Sequence, residues 1–184
     1  MLRVGLKITA VIAGLGIMLA LSSCEEGDRS RDRQPVSPKV QKENVEEANR
    51  NLVKLEREMI DEYVRKSGLD FVETGTGLRY FIENKGDGEL IKQGDIVTME
   101  YEMRLMDGEL LYSSDKDGLK VFLVGRGGVE SGLEEAVLHL HKNDKAIVII
   151  PSHLAHGLAG DGKRIPARST LVYELKIIDN QNKK

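Results

Sequence analysis

The chain has 184 residues, no tryptophan and a single cysteine, Cys24. One thiol cannot form a disulfide within the chain, so the fold has to be stable without one. Basic residues are not in excess: 27 Lys and Arg stand against 30 Asp and Glu, and a net charge of −3 gives no electrostatic reason to expect a nucleic-acid partner. The contents of hydrophobic residues (40%) and charged residues (31%) are typical of a soluble globular domain with extensions.

The apolar run near the N-terminus is too short to serve as a membrane span. Residues 8–21 form a run of 14 residues that follows Arg3 and Lys7, whereas a membrane-spanning helix needs ~20. The pattern predicts a signal peptide over 1–23. Its end, Leu-Ser-Ser before Cys24, resembles a bacterial lipobox, so we expect cleavage before Cys24 and a lipid on its thiol. The alternative is an ordinary signal peptide with an unpaired thiol nearby.

The segment after Cys24 is predicted to be a flexible tether over 24–38. It is charged, contains proline and has few aliphatic residues. Its acidic start, Glu25-Glu26, resembles that of some Bacteroidetes-type lipoproteins that are exported to the cell surface. Two carboxylates in a charged linker are nevertheless common by chance.

A helical extension is predicted over 39–68. Its apolar residues recur at steps of three and four, and Gly68 lies just past the end. The recurring residues are Val45, Ala48, Leu52, Leu55 and Met59. One interpretation is a homodimer through residues 39–66. The other is a helix that lies on its own domain or acts as a spacer, which is favoured because two heptads fall short of the three or four that indicate a coiled coil.

Residues 69–180 are predicted to form one α+β domain. Apolar residues alternate with polar ones over 97–105, Asp107-Gly108 indicates a hairpin turn, and an apolar run at 145–150 ends at Pro151. Between these strands, a glycine-rich turn leads into one short helix, where Ser131 and Glu134 have the spacing of a capping box. The expected fold is an antiparallel sheet wrapped around this helix. We expect the domain to fold without the first 68 residues, so that the helical extension has no necessary structural role.

Two other features of the sequence, a possible phosphate-binding loop and a group of histidines, do not match the functional sites that they resemble. Residues 157–163 nearly match a phosphate-binding loop, but Arg164 replaces the residue that would hold magnesium and Pro166 stands where a helix must run. All four histidines lie between 139 and 156, but His139 and His141 point to different sides of a helix. His153 and His156 lie in a loop with no cysteine nearby and Asp161 as the nearest carboxylate. No Ser/His/Asp order or carboxylate pair stands out either. The sequence therefore predicts no cofactor and no metal.

Several short pieces occur in a fixed order along residues 88–178. They are Val124-Gly125, Gly132-Leu133-Glu134-Glu135, Ile150-Pro151, Leu154-Ala155-His156-Gly157, Ile165-Pro166 and Ser169-Thr170-Leu171-Val172-Tyr173. This order resembles the FKBP family of peptidyl-prolyl cis-trans isomerases. The resemblance implies a pocket that binds Xaa-Pro segments of polypeptides and needs no nucleophile, metal or cofactor.

The resemblance also implies which residues form that pocket. Tyr101 and Tyr173 would be aromatic walls, and Val129 and Ile165 apolar walls. The backbone N–H of Glu130 would bind a substrate carbonyl, so the identity of its side chain would matter little. Leu111 stands where phenylalanine is usual, and Phe122 lies in the strand that enters the glycine turn. Without the resemblance, each apolar member would be read as plain core.

Three pocket positions depart from the usual pattern of the family. Leu133 replaces a tryptophan, Tyr112 an aspartate and His156 a tyrosine. The combination of Tyr112-Ser113-Ser114 with Ser131-Gly132-Leu133 resembles gliding-motility-associated and related lipoprotein members from Bacteroidetes. The expected function is a slow isomerase of the cell envelope that assists protein folding, held on a membrane by a lipid on Cys24. The alternative is a binding module or chaperone on the same scaffold with little catalytic activity.

Overall fold

The computed structural model describes residues 38–182. The expected signal peptide, Cys24 and the tether up to residue 37 lie outside the described residues. None of the helices within 38–182 is both long enough and apolar enough to span a bilayer.

A single antiparallel sheet organises the described residues. Its strand order is β1-β2-β6-β7-β3-β4, and β5 also pairs with β3. The elements are α1 (Pro38–Ser67), β1 (Val72–Glu73), β2 (Arg79–Asn84), β3 (Asp95–Leu105), β4 (Leu110–Ser113), α2 (Ser114–Asp117), β5 (Lys120–Leu123), α3 (Ser131–Val137), β6 (Lys145–Ile150), a 3-10 turn (Ser152–Leu154) and β7 (Leu171–Asn182). This is the predicted α+β architecture, with a helical extension in front of it.

The two longest strands, β3 and β7, pair along their whole lengths and carry the inner face of the sheet. Their inward residues follow the period of two that the sequence shows. The buried set comprises Val97, Met99, Tyr101 and Met103 from β3 and Leu171, Tyr173, Leu175 and Ile177 from β7. They form one hydrophobic core with Leu133, Ala136 and Val137 of α3. The short helix is therefore the element around which the sheet closes.

The start of α3 differs from the predicted capping box. The helix begins at Ser131, Glu130 is the cap residue, and no side chain caps the helix there. The Glu134 carboxylate instead accepts the Gly127 N–H at 2.9 Å, and the Ser131 hydroxyl donates to the Leu154 carbonyl at 3.1 Å. Both side chains thus form hydrogen bonds with neighbouring loops, so neither caps the start of the helix.

The second half of α1 packs on the outer face of the sheet. Ile60 is 3% exposed and forms a second apolar cluster with Ile149 and Val172. The Glu56 carboxylate accepts the backbone N–H of Ser152 at 2.6 Å and the Thr170 hydroxyl at 2.6 Å. These contacts make α1 part of the packing, as in the interpretation of a helix that lies on its own domain. That residues 69–180 fold without it stays a prediction. Residues 41–55, by comparison, are all exposed.

Candidate functional site

A pocket of about 580 Å³ opens between the sheet and the start of α3. One wall comes from β3 and β5, and the opposite wall comes from the glycine turn before α3 and the loop after β6. The lining residues are Tyr101, Met103, Tyr112, Asp117, Lys120, Gly128, Val129, Glu130, Ser131, Ala155, His156, Asp161 and Ile165. Charged and apolar side chains thus share the same cavity.

The structure brings six of the ten predicted site residues to the surface of this pocket. They are Tyr101, Tyr112, Val129, Glu130, His156 and Ile165. The other four, Leu111, Phe122, Leu133 and Tyr173, are buried in the hydrophobic core with exposures of 5%, 6%, 0% and 0%. Tyr173 still takes part in the site, because its hydroxyl bonds to two side chains that line the pocket.

Tyr101 and Tyr173 form the aromatic base of the pocket. Their ring centroids lie 5.9 Å apart and the planes are tilted by 40°. Burial, followed by the negative charges of Asp117 and Glu130, raises the pKa of Tyr101. Burial and then the charge and hydrogen bond of Glu130 raise the pKa of Tyr173 well above its usual value. Both phenols are therefore neutral donors at physiological pH.

A polar network crosses this aromatic base. The Tyr173 hydroxyl donates to Glu130 Oε1 at 2.9 Å, and His156 Nε2 lies 3.1 Å from the same oxygen. Lys120 Nζ donates to the Tyr173 hydroxyl at 3.0 Å and lies 3.5 Å from Glu130 Oε2. The Glu130 side chain, expected to matter little, is thus at the centre of the site.

The environment keeps the Glu130 carboxyl ionised although it is 8% exposed. Burial on its own would raise its pKa. The positive charge of Lys120, the backbone N–H of Glu130 itself and the hydrogen bonds from Tyr173 and His156 together outweigh burial, and the pKa is lowered. The pocket therefore holds a buried Glu130 carboxylate beside the partly exposed side chain of Lys120.

Three pocket residues, Lys120, Asp117 and Asp161, were not predicted from the sequence. A signal for Lys120 exists, since it lies two residues before the buried Phe122 in β5 and so shares its face of the strand. Asp117 and Asp161 lie in a four-residue helix and a loop, where no periodicity marks the inward side chains. Their positions depend on contacts distant in sequence.

The rim of the pocket is fastened by Asp161. Its Oδ2 accepts the Tyr112 hydroxyl at 2.5 Å, and its Oδ1 accepts the backbone N–H groups of Lys163 and Ile165, each at 2.8 Å. Burial would raise the pKa of the Asp161 carboxyl, but these hydrogen bonds outweigh burial and lower it to about 2. The Arg164 guanidinium stacks on the Tyr112 ring, 4.6 Å from its centroid. Tyr112 thereby holds the loop over the pocket.

The cavity has the chemistry of a binding site with a partly apolar wall and hydrogen-bonding groups at fixed positions. Within residues 38–182, no cluster of three His, Cys, Asp or Glu side chains could hold a metal ion. The groups that can act on a bound molecule are the aromatic and aliphatic walls and the remaining donors of the Lys120 ammonium.

Comparison with known proteins identifies relatives of this fold and of its pocket-bearing segment. Residues 88–178 match the family model described as FKBP-type peptidyl-prolyl cis-trans isomerase. A probable FKBP-type peptidyl-prolyl cis-trans isomerase FkpA from Neisseria meningitidis is 39% identical over 106 residues, which are 57% of this chain and 38% of that protein. An FkpA from Buchnera aphidicola is 32% identical over 125 residues, 67% of this chain and 49% of that protein. The chain thus matches about half or less of the length of these relatives.

Comparison with solved structures also finds a peptidyl-prolyl cis-trans isomerase. A peptidyl-prolyl cis-trans isomerase from Pseudomonas syringae, solved as a crystal structure, superposes with a TM-score of 0.62 at 26% sequence identity. The superposition covers 72% of this chain and 96% of that one. The similarity therefore extends over nearly all of a solved structure of this type.

Proposed function

Since residues 88–178 belong to the FKBP-type peptidyl-prolyl cis-trans isomerase family, we propose that the protein is a prolyl isomerase of the cell envelope that assists the folding of proline-containing polypeptides. The observation that carries the proposal is the pocket walled by Tyr101, Val129 and Ile165 in the segment that matches the family. Such a cavity can enclose a proline ring and hold the flanking amide away from water.

The mechanism needs no covalent step. Rotation about an Xaa-Pro bond is slow because the planar amide loses resonance on twisting, with a barrier of ~18–20 kcal/mol. The twisted amide is less polar than the planar one, so a partly dehydrated site favours it over the ground state. In this pocket the proline ring of the substrate would pack on Tyr101, Val129 and Ile165. The backbone N–H of Glu130 would bind a substrate carbonyl. We propose that turnover is slow, because Leu133, Tyr112 and His156 depart from the usual family residues.

An isomerisation assay tests this function. NMR exchange between the cis and trans forms of a short Leu-Pro peptide should be faster with the purified protein than without it. Tyr101→Ala should slow the catalysed exchange about ten- to a hundredfold, because the ring loses contacts of about 1–3 kcal/mol. Tyr80→Ala is the control, since Tyr80 stacks on His139 and is not among the pocket-lining residues. Exchange at the thermal rate would refute the enzymatic function and leave a binding module or chaperone.

The proposed site of membrane attachment is a lipid on Cys24, as in the Bacteroidetes lipoproteins that the sequence resembles. The support is the short apolar run and the Leu-Ser-Ser-Cys sequence that ends it. Cys24→Ala should move the protein from the membrane pellet to the soluble fraction after a carbonate wash, while Ser23→Ala should leave it in the pellet. A Cys24→Ala protein that stays in the pellet would show that another segment is the anchor.

The proposed quaternary structure is a homodimer through residues 39–66. Support comes from the exposed apolar side chains of the first part of α1: Val45, Leu52 and Leu55 are 55%, 42% and 55% exposed. Light scattering should give a dimer for the unmodified protein and a monomer for Leu55→Glu. Arg50→Gln, which also changes the net charge by −1, is the charge-matched control on the same helix. A monomer at all concentrations would leave α1 as a helix that serves only its own domain.

A further inference from the structure

The two oxygens of the Glu130 carboxylate differ: Oε1 has hydrogen-bond partners, and Oε2 has none among the described residues. Oε1 accepts the Tyr173 hydroxyl and lies within hydrogen-bond distance of His156 Nε2. Oε2 is buried, and among the described residues it has no hydrogen-bond partner. Lys120 Nζ lies 3.5 Å from Oε2, close enough for an ion pair but outside hydrogen-bond geometry. A buried acceptor without a donor is costly, so this oxygen favours a guest that supplies one.

Lys120 offers the complementary group. Its ammonium lies over the rings of Tyr101 and Tyr173, 5.0 and 5.3 Å from their centroids, and donates one hydrogen bond to the Tyr173 hydroxyl. An ammonium has three donors, so others remain for a bound molecule. The side chain is 18% exposed and lines the pocket, whereas that of Glu130 is 5% exposed. A donor and an acceptor therefore stand side by side at the base of the cavity.

The charges of the pair determine which guest fits. Lys120 and Glu130 neutralise each other, so a charged side chain entering the pocket would leave one uncompensated charge away from water. An aliphatic side chain would dehydrate both groups and satisfy neither. A primary carboxamide is neutral and carries a carbonyl acceptor and an N–H donor on one carbon. It can accept from Lys120 Nζ and donate to Glu130 Oε2 at the same time.

We infer that Lys120 and Glu130 are a specificity-determining pair that selects peptides with an asparagine or glutamine directly before the proline. The residue before the proline shares the isomerising bond with it, and in the inferred arrangement its side chain reaches the Lys120–Glu130 pair. The inference rests on the proposed isomerase function. It adds a substrate class that polypeptides rich in Gln-Pro and Asn-Pro segments would supply.

The test compares four peptides, Ala-Xaa-Pro-Phe with Gln, Leu, Glu or Lys before the proline. NMR exchange gives the catalytic efficiency for each peptide, and chemical-shift titration of the same samples gives the affinity. The unmodified protein should prefer the Gln peptide over each of the others by about tenfold, the scale of one hydrogen bond to a charged group after loss of water. Lys120→Met combined with Glu130→Leu should reverse the order in favour of the Leu peptide.

A matched control pair lies elsewhere on the sheet. Lys145 Nζ and Glu83 Oε2 are 2.6 Å apart and about half exposed, and neither residue is among the pocket-lining ones. Lys145→Met with Glu83→Leu should leave the preference for the Gln peptide unchanged. If the pocket double variant does not fold, Glu130→Gln, which keeps the size of the side chain, should reduce the preference.

The outcomes separate this inference from the function on which it rests. A preference for the Leu, Glu or Lys peptide in the unmodified protein would overturn the inference, and so would a preference for Gln that survives the pocket substitutions. Exchange at the thermal rate with all four peptides would refute the isomerase function. In that case the order of the four affinities still decides whether the Lys120–Glu130 pair selects a carboxamide.

Discussion

Ile60→Ala is the sharpest test of how α1 contributes to the domain. Ile60 is 3% exposed and packs on Ile149 and Val172, which are 0% and 3% exposed on the outer face of the sheet. Replacing a buried isoleucine by alanine costs about 2–5 kcal/mol of unfolding free energy, and the cost falls where the surroundings can close the cavity. Because α1 is a single helix lying on the sheet and can move inward, we expect about 2–3 kcal/mol.

Urea unfolding followed by far-UV circular dichroism measures this difference, since the chain has no tryptophan for fluorescence. Met59→Ala is the matched control, because Met59 is the neighbouring residue and is 60% exposed. It should change the stability by no more than about 0.5 kcal/mol. If both variants unfold at the same urea concentration as the unmodified protein, α1 does not pack on the sheet in solution and residues 69–180 form the whole folding unit.

Three further predictions follow from the packing and the hydrogen bonds. A truncation that starts at Leu69 should still fold but unfold at a lower urea concentration than Ile60→Ala, because it also removes the Glu56 carboxylate from Ser152; equal midpoints would contradict this. Gly132→Ala should lower the melting temperature, since a Cβ there would lie 2.4 Å from Ile150 Cγ2; an unchanged or higher melting temperature would show that the helix can shift. The Asp161 carboxyl has its pKa lowered to about 2 from 3.8, so its stabilisation of the loop should be complete above pH 3.8 and lost as the pH falls towards 2. The Tyr112 ring signals should report this loss by NMR, and Asp161→Asn should remove the acid transition; a transition that remains in that variant would assign it to another group.

The sequence was sufficient for the features that depend on local patterns. The alternation over 97–105 identified β3 and its inward residues, and the glycine-rich turn and apolar spacing identified α3. The spacing of apolar residues also identified α1, observed as Pro38–Ser67. These signals are local because strands repeat every two residues and helices every 3.6.

The features that the sequence did not reveal depend on contacts between distant residues. Glu130 meets Tyr173, 43 positions away, and Lys120 meets Tyr173, 53 positions away. The predicted capping box of α3 was wrong for the same reason. The Glu134 and Ser131 side chains form hydrogen bonds with adjacent loops instead of with the start of the helix. That α1 lies on its own domain was the favoured interpretation, but its contact residue Ile60 could not be told from its exposed neighbours by spacing alone.

The order of the strands has a consequence for the proposed function. The longest strands, β3 with 11 residues and β7 with 12, lie inside the sheet, while the terminal strands β1 and β4 have two and four. A long exposed strand edge would offer its free N–H and C=O groups to any extended polypeptide and recruit it into the sheet. Short edges limit such pairing, so under the proposed function a polypeptide bound in the pocket would not be drawn into the sheet as another strand.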